Sequence, residues 1–481
     1  MRLMMFVHLL GKWMMIYSSV LLPPIAISAL YGDGELKYFL LAFAVSMAIG
    51  GSFWLVGDRH PLQLKMRDGF IVVVALWVAT SLIGSLHLVF SLGLSLTDAF
   101  FEVVSALTTT GATVLTGLDH MPQSVLFFRQ ELQWLGGIGV VVSAVALLPM
   151  LGIGGMQLFK AETPGPFKEE KLTPRISHTA AVLWKVYLAM TVGCALGYWF
   201  AGMSLFDAVA HSFSTVSTGG FSTHDASFAY FNNPVIDWVS IVFMMVGASS
   251  FGVHWMAWRN LSIEDYWRNE ETRAFLLIVL VIVAIVAVEL YLHSSHDTVA
   301  GAIRYSAFTV VSVITSTGFG TDSFATWPSF LPLFLILISF IGGCGGSTAG
   351  GMKVMRIVIL GKAIRLELFR LVHPLGVKPL KLHGRSIETR AVDGVMGFVS
   401  VYILIFALFV LLMLSLGMNL ETAFSAVATC INNLGPALGD VASNFQSASA
   451  PSKWALAFVM LLGRLEIFTF LVLLSPNFWR N

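Results

Sequence analysis

Charge is scarce in this chain. Asp, Glu, Lys and Arg make up 11% of its 481 residues against 57% hydrophobic ones, and a surface so poor in charge cannot face water. A soluble enzyme is therefore excluded. So is a nucleic-acid-binding domain, because the net charge of +1 leaves no basic surplus for a polyanion. Cysteine is nearly absent as well. Cys194, Cys344 and Cys430 stand at unrelated spacings with no CxxC and no paired His, which indicates neither a disulfide framework nor a metal site but buried free thiols.

What is abundant is long apolar sequence. Runs near or above the roughly 20 residues needed to cross a bilayer begin near Leu3, Phe39, Phe70, Leu132, Ala180, Val235, Ala274, Phe330, Val395 and Trp454, which predicts ten spans and an all-α polytopic membrane protein. The first run has Pro23-Pro24 near its end and no small-residue cleavage site after it, so it reads as a retained span rather than a signal peptide. Of 28 Lys and Arg residues, 23 fall on one side of these spans. Short loops rich in Lys and Arg stay cytoplasmic, which places both termini inside. The longest inner connection, 354–392, is basic with Leu, Ile and Phe interleaved, and reads equally as a surface helix, a docking face or a solvated loop.

Four stretches end on a glycine in the same polar setting: Thr109-Thr110-Gly111, Thr218-Gly219-Gly220, Ser316-Thr317-Gly318 and Asn433-Leu434-Gly435. In the first, second and fourth the match extends eighteen residues upstream, through Gly93, Ser95, Leu96, Ala99 and Ser105, then Gly202, Ser204, Leu205, Ala208 and Ser214, then Gly417, Asn419, Leu420, Ala423 and Thr429. The third keeps only Ser312, Ser316 and Gly318. Fixed offsets of several residue types indicate a repeated unit. The stretch 97–108 covers about 12 residues, or roughly 18 Å as a helix, too short to cross. It is expected to dip in and return, capped at Ser95 with Asp98, at Ser204 with Asp207, and more loosely at Asn419 with Glu421. Four membrane-pore-membrane repeats around a single pore follow, at 66–160, 161–262, 263–392 and 393–481, after a two-helix unit at 1–65.

Non-helical backbone at membrane depth survives only where it lines a watery cavity or is buried in protein. Four glycine loops therefore imply a shared cavity with carbonyls turned toward an axis, the means by which a filter replaces the hydration shell of a potassium ion. The expected ion ligands are the carbonyls of Gly111, Gly220, Gly318 and Gly435, and no carboxylate lies inside the four motifs. The second span of every unit is weakened by small residues, at 136–139, at 247–250, at 342–351 and at Gly463. The third, with Gly342, Gly343, Gly345, Gly346, Ser347, Thr348, Gly350 and Gly351, cannot hold a regular helix and is expected to unwind into a gate beneath the filter. Arg464, deep in the last span, is expected to hydrogen-bond carbonyls of that loop. A pair with Glu466 or Glu131 is the weaker alternative, because residues two apart on a helix point apart.

At this point the residues resemble the Trk/Ktr/HKT superfamily of potassium transporters, and within it the Trk-H type. The resemblance rests on TTTGAT at 108–113, STGGFST at 217–223, TSTGFGT at 315–321, NNLGP at 432–436, GGCGGSTAGGMK at 342–353 and LLGRLEIFT at 461–469. It implies that the four glycines are filter positions, that 342–351 is the intramembrane gate faced by Arg464, and that residues 1–65 are the two extra spans of that branch. It implies K+ uptake across the inner membrane with no cofactor, and glycine rather than serine at 111 points to potassium over sodium. A homodimer bound to a cytosolic nucleotide-binding regulatory subunit of the Trk-A type is implied too. Coupling to protons or sodium stays open. An intramembrane protease is disfavoured because no Gly-x-Ser-Gly or Gly-x-Gly-Asp occurs, and an organic-solute carrier because the copies run parallel and the spans lack buried acids.

Overall fold

The computed structural model describes residues 3–57, 66–147, 176–293 and 298–479, apart from 375, 377, 383, 384 and 388. Arg2, Arg59, Lys65, Lys160, Lys168, Lys171, Arg175 and Arg480, all counted among the 23 basic residues on the inner side, lie outside the described residues, as do the proposed unit boundaries at 65 and 160–161. The chain is nearly all helix; a two-residue β-hairpin pairs Lys381–Leu382 with Arg385–Ser386.

Two N-terminal segments, Leu3–Ser18 continuing as Leu22–Tyr31, and Leu36–Val56, pack against each other and precede a pattern that recurs four times. Each recurrence has a leading helix, a half-helix and a trailing segment. The leading helices are Met66–Leu92, Ile176–Phe200, Glu270–Leu292 and Thr389–Ser415, and the half-helices are Leu96–Leu107, Leu205–Val216, Val299–Ile314 and Leu420–Asn432. Each half-helix starts where its sequence offers a side-chain acceptor for an unpaired N–H. Ser95 accepts from Asp98 N–H, Ser204 from Asp207 N–H, Asn419 from Thr422 N–H, and Thr298 from Gly301 N–H. The last of these sets the start of the third half-helix, which its eroded sequence left open.

Ten spans are expected from the sequence; among the described residues six helices are long and apolar enough to cross a membrane as single straight helices, and two further trailing segments qualify as bent pairs: Pro234–Gly247 with Phe251–Asn260 at 99°, and Ala450–Arg464 with Ile467–Leu474 at 110°. The run near Phe330 is helical only over Leu331–Ile338 before the glycine-rich loop, after which Val354–Val372 resumes. The run near Leu132 belongs to a helix that starts earlier, Gln123–Leu147, and carries buried Arg129 and Glu131.

The expected weakening at 136–139 does not appear, since Gln123–Leu147 continues through Gly136-Gly137-Ile138-Gly139 without a break. Gly136 and Gly137 serve close packing instead. A Cβ on Gly136 would overlap the Leu107 carbonyl of the first half-helix, and one on Gly137 would press on Ser217 and Tyr187. Gly247 and Gly463 face Val216 and Ile431 carbonyls in the same way, each four residues before a motif glycine. Removing the side chain lets a membrane helix sit directly on the end of a half-helix.

Candidate functional site

The four loops share one backbone conformation. Thr109, Thr218, Ser316 and Asn433 all lie at φ between 52° and 53°, and Gly111, Gly220, Gly318 and Gly435 at φ between 80° and 100°. Two left-handed residues flanking one other reverse the direction of successive carbonyls, and the second is glycine because a side chain is strained there. The residue between them is tied back to its own half-helix. Thr110 N–H donates to Ser105 C=O (2.8 Å), Gly219 to Ser214 (2.7 Å), Thr317 to Ser312 (2.8 Å) and Leu434 to Thr429 (2.9 Å). The hydroxyl residue six positions before each glycine is thus the anchor of its loop.

The loops meet around a closed ring. A Cβ built on Gly111 would collide with Gly219 O, one on Gly220 with Thr317 O, one on Gly318 with Leu434 O, and one on Gly435 with Thr110 O, in each case at 2.7 Å or closer. Each glycine therefore sits against the carbonyl of the residue before the next copy's glycine, and the fourth returns to the first. All four half-helices aim their C-terminal ends, and so their partial negative charge, at this ring. A cavity of about 130 Å³ opens above it, lined by all four glycines together with Pro436, His224 and Asn444.

Buried polar groups brace the ring from behind. Glu102 in the first half-helix accepts from Arg129 Nε (2.8 Å), Thr113 Oγ1 (2.9 Å) and Val114 N–H (2.9 Å). Arg129 also lies 4.1 Å over the Phe221 ring, so one buried ion pair joins the first loop to the second. Asn433 Nδ2 donates to Thr110 Oγ1 (3.0 Å), joining the fourth to the first. None of this was read from the sequence. An acid in the middle of an apolar 12-residue helix and an Arg at a span's start were the available signals.

At the outer rim, His224 Nδ1 lies 2.6 Å from Asp119 Oδ1 and its Nε2 lies 3.6 Å from Asp207, linking the outer loop of the first unit to the second. Partial burial opposes its charge, and the two carboxylates outweigh that and hold its pKa above the ordinary histidine value.

The segment 342–351 lies against the ring. Gly350 N–H donates to Ser316 Oγ (2.6 Å), and a Cβ on Gly350 would overlap Asn432 O. Thr348 Oγ1 donates to Val216 O or Gly247 O, both at 3.0 Å. Cys344 N–H donates to Ala248 O (2.8 Å), and Phe251 N–H to Gly346 O (3.1 Å). Glu271, buried in the first turn of the third leading helix, accepts from Gly345 N–H (2.7 Å) and Met355 N–H (3.1 Å), on either side of the loop's end. The unwound backbone is thus supplied with partners, as burial demands.

Arg464 Nη1 donates to Thr348 O (2.7 Å), and Nη2 approaches Gly136 O at 3.4 Å. Glu466 instead pairs with Arg356 (2.6 Å). Arg464 is the last residue before the 110° bend rather than the middle of a straight span, so its charge lies at a helix C-terminus where the dipole favours it. The expectation that the spans lack buried acids is also corrected. Glu131, Asp237 and Glu271 are all buried within helices, the last two within reach of Arg304 and the backbone donors just named. Cys194, Cys344 and Cys430 are free and buried.

A nearly all-helical polytopic membrane protein with four half-helices converging on one ring defines the class. The sequence matches the TrkH cation transport protein family over residues 35–481, and the chain belongs to that family. It is 47% identical over 479 residues to the Trk system potassium uptake protein TrkH of Vibrio parahaemolyticus, covering 99% of both chains. It is 46% identical over 476 residues to that of Salmonella typhimurium, covering 98% of this chain and 99% of the relative. The crystal structure of the potassium transporter TrkH from Vibrio parahaemolyticus matches over 100% of both chains, with a TM-score of 0.93 at 44% identity.

Proposed function

We propose that this chain takes up potassium across the cytoplasmic membrane through a gated pore whose filter is the ring of four loops, with both termini on the cytoplasmic side. The carbonyls of Gly111, Gly220, Gly318 and Gly435, with those of the residues before them, stand in for the water shell of K+ as it passes. The observation that carries this reading is the closed cycle of glycine-to-carbonyl contacts from Gly111 through Gly220 and Gly318 to Gly435 and back, because a side chain at any of the four positions has to displace a ring carbonyl. The half-helix dipoles favour a cation at the centre and no fixed acid is needed. The loop at 342–351 is the gate: it lies under the ring, bonded to a loop residue above it through Ser316, and Arg464 holds it closed through Thr348.

The relatives' shared membership of a Trk potassium-uptake system supports a cytosolic regulatory partner. A nucleotide-binding subunit docking on the inner face of a homodimer fits that reading. The test is potassium flux by purified protein in liposomes, with reversal potentials under potassium, sodium and proton gradients. The potential should follow potassium alone. A potential that tracks the proton gradient would replace the passive pore with a symporter.

A further inference from the structure

The four loops are alike in backbone but not in how their middle residue is held. In the first and third copies that residue is Thr110 or Thr317, and its hydroxyl bonds the hydroxyl two positions earlier, Thr108 or Thr315, at 2.7 Å in both. The second copy has no such hydroxyl because its middle residue is Gly219. The place is taken by a side chain from another unit. Gln133, wholly buried on the helix Gln123–Leu147, donates from Nε2 to Gly219 O (2.5 Å) and accepts at Oε1 from Phe221 N–H (3.1 Å). A Cβ on Gly219 would collide with that carboxamide, its Cδ and Oε1 at 2.5 Å and its Nε2 at 2.9 Å. The Gly-Gly pair is therefore the other half of the clamp: residue 219 is glycine so that Gln133 can reach the backbone. Aligning the trailing segments of the first, second and fourth units on Gly136, Gly247 and Gly463 puts Met244 and Met460 where Gln133 stands, so of these three only the first carries the brace.

Gly219 O is the same carbonyl that Gly111 packs against in the ring. A donor fixed on one of its lone pairs sets its direction and lowers its freedom to follow a smaller ion.

Building on the filter reading above, we propose that Gln133 is a positioning residue for ion selectivity, holding the Gly219 carbonyl at the spacing a potassium ion requires. Relaxing it lets the second loop close on sodium. Gln133 touches the loop and not the ion, so its loss acts on discrimination rather than on passage itself.

The experiment uses the full chain in liposomes and reads the sodium-to-potassium permeability ratio from bi-ionic reversal potentials, which do not depend on how much protein is active. Gln133→Leu removes both bonds, and Gln133→Glu keeps the acceptor for Phe221 while replacing the donor to Gly219 with a second oxygen. Both should raise relative sodium permeability about tenfold, the scale of one lost buried hydrogen bond. Gly219→Thr should be poorly folded while Gln133 is present. Gly219→Thr with Gln133→Ala rebuilds the brace of the first and third copies and should restore the parental ratio. Gly111→Ser is the reference. Should Gly111→Ser shift the ratio while both Gln133 variants keep the parental one, the clamp proposal is wrong and the filter reading stands. Should none of the three shift it, the filter reading fails and takes the clamp with it. A variant that loses total flux at an unchanged ratio also overturns the proposal, because that is what a purely structural glutamine would do.

Discussion

The trailing segments of the first and third units are both rich in glycine, and they do opposite things. Gly136-Gly137-Ile138-Gly139 stays helical while 342–351 unwinds completely. Glycine density alone does not decide the outcome, since each glycine costs a helix only about 1 kcal/mol. What decides it is the neighbourhood. In the first unit the missing Cβ atoms admit the ends of two half-helices against an intact helix, so the helix keeps its own hydrogen bonds and gains contact. In the third, Glu271, Ser316, Ala248, Arg464 and Val216 lie where they can pair freed backbone and side-chain groups, so unwinding leaves few bonds unmade. One unit supplies a rigid wall; the other supplies a segment held only by contacts that can be exchanged.

The sharpest way to break this comparison is to fill the wall. Gly136→Val forces atoms into the Leu107 carbonyl, and backbone on both sides cannot yield. It should cost more than about 3 kcal/mol and abolish monodisperse protein in detergent size exclusion. Recovery of well-folded Gly136→Val protein would show that the first helix is as deformable as the third. Loosening the proposed gate at 342–351 comes next. Arg464→Ala removes the donor to Thr348 O, and Glu271→Gln weakens the hold on Gly345 and Met355, so each should raise potassium flux several-fold in liposomes, on the scale of one or two charge-assisted bonds. Unchanged flux in Arg464→Ala would remove the arginine from the gate.

Smaller effects refine the contrast. Among the described residues Gly139 has only Trp77 in ordinary contact, at 3.9 Å, so Gly139→Ala should be accepted and raise stability by up to about 1 kcal/mol, seen as a modest rise in melting temperature. The smallest effect concerns the outer rim. His224 has a raised pKa in the folded protein, so its link to Asp119 and Asp207 contributes stability below the ordinary histidine pKa of about 6.5 and loses it as pH rises through the folded value. His224→Gln should therefore melt about a degree below the parent at pH 5.5 and together with it at pH 8.5. A gap that widens toward alkaline pH would reverse the assigned charge.

How much of this could be read from the residues follows the range of the interactions. The caps at Ser95, Ser204 and Asn419 are set by neighbours three residues away, and the anchoring residue six before each glycine acts within its own loop, so fixed offsets along the chain revealed them. Thr298 was missed because the third copy had lost its upstream pattern while keeping a single capping hydroxyl. Gln133 and Glu271 act on residues 74 to 88 positions away, and the Glu102–Arg129 pair joins separate loops; no spacing rule reaches that far. The unbroken helix through Gly136 was misjudged for the same cause. Its fate depends on Leu107, Ser217 and Tyr187, which only the fold brings beside it.

The central claim is that four loops surround a dehydrated monovalent cation. It is tested most directly by anomalous diffraction from crystals grown in a thallium or rubidium salt. A peak is expected on the axis of the ring, within coordination distance of carbonyls from all four loops around Gly111, Gly220, Gly318 and Gly435. Well-ordered loops with no anomalous density among them, and a bound ion elsewhere in the membrane region, would contradict it.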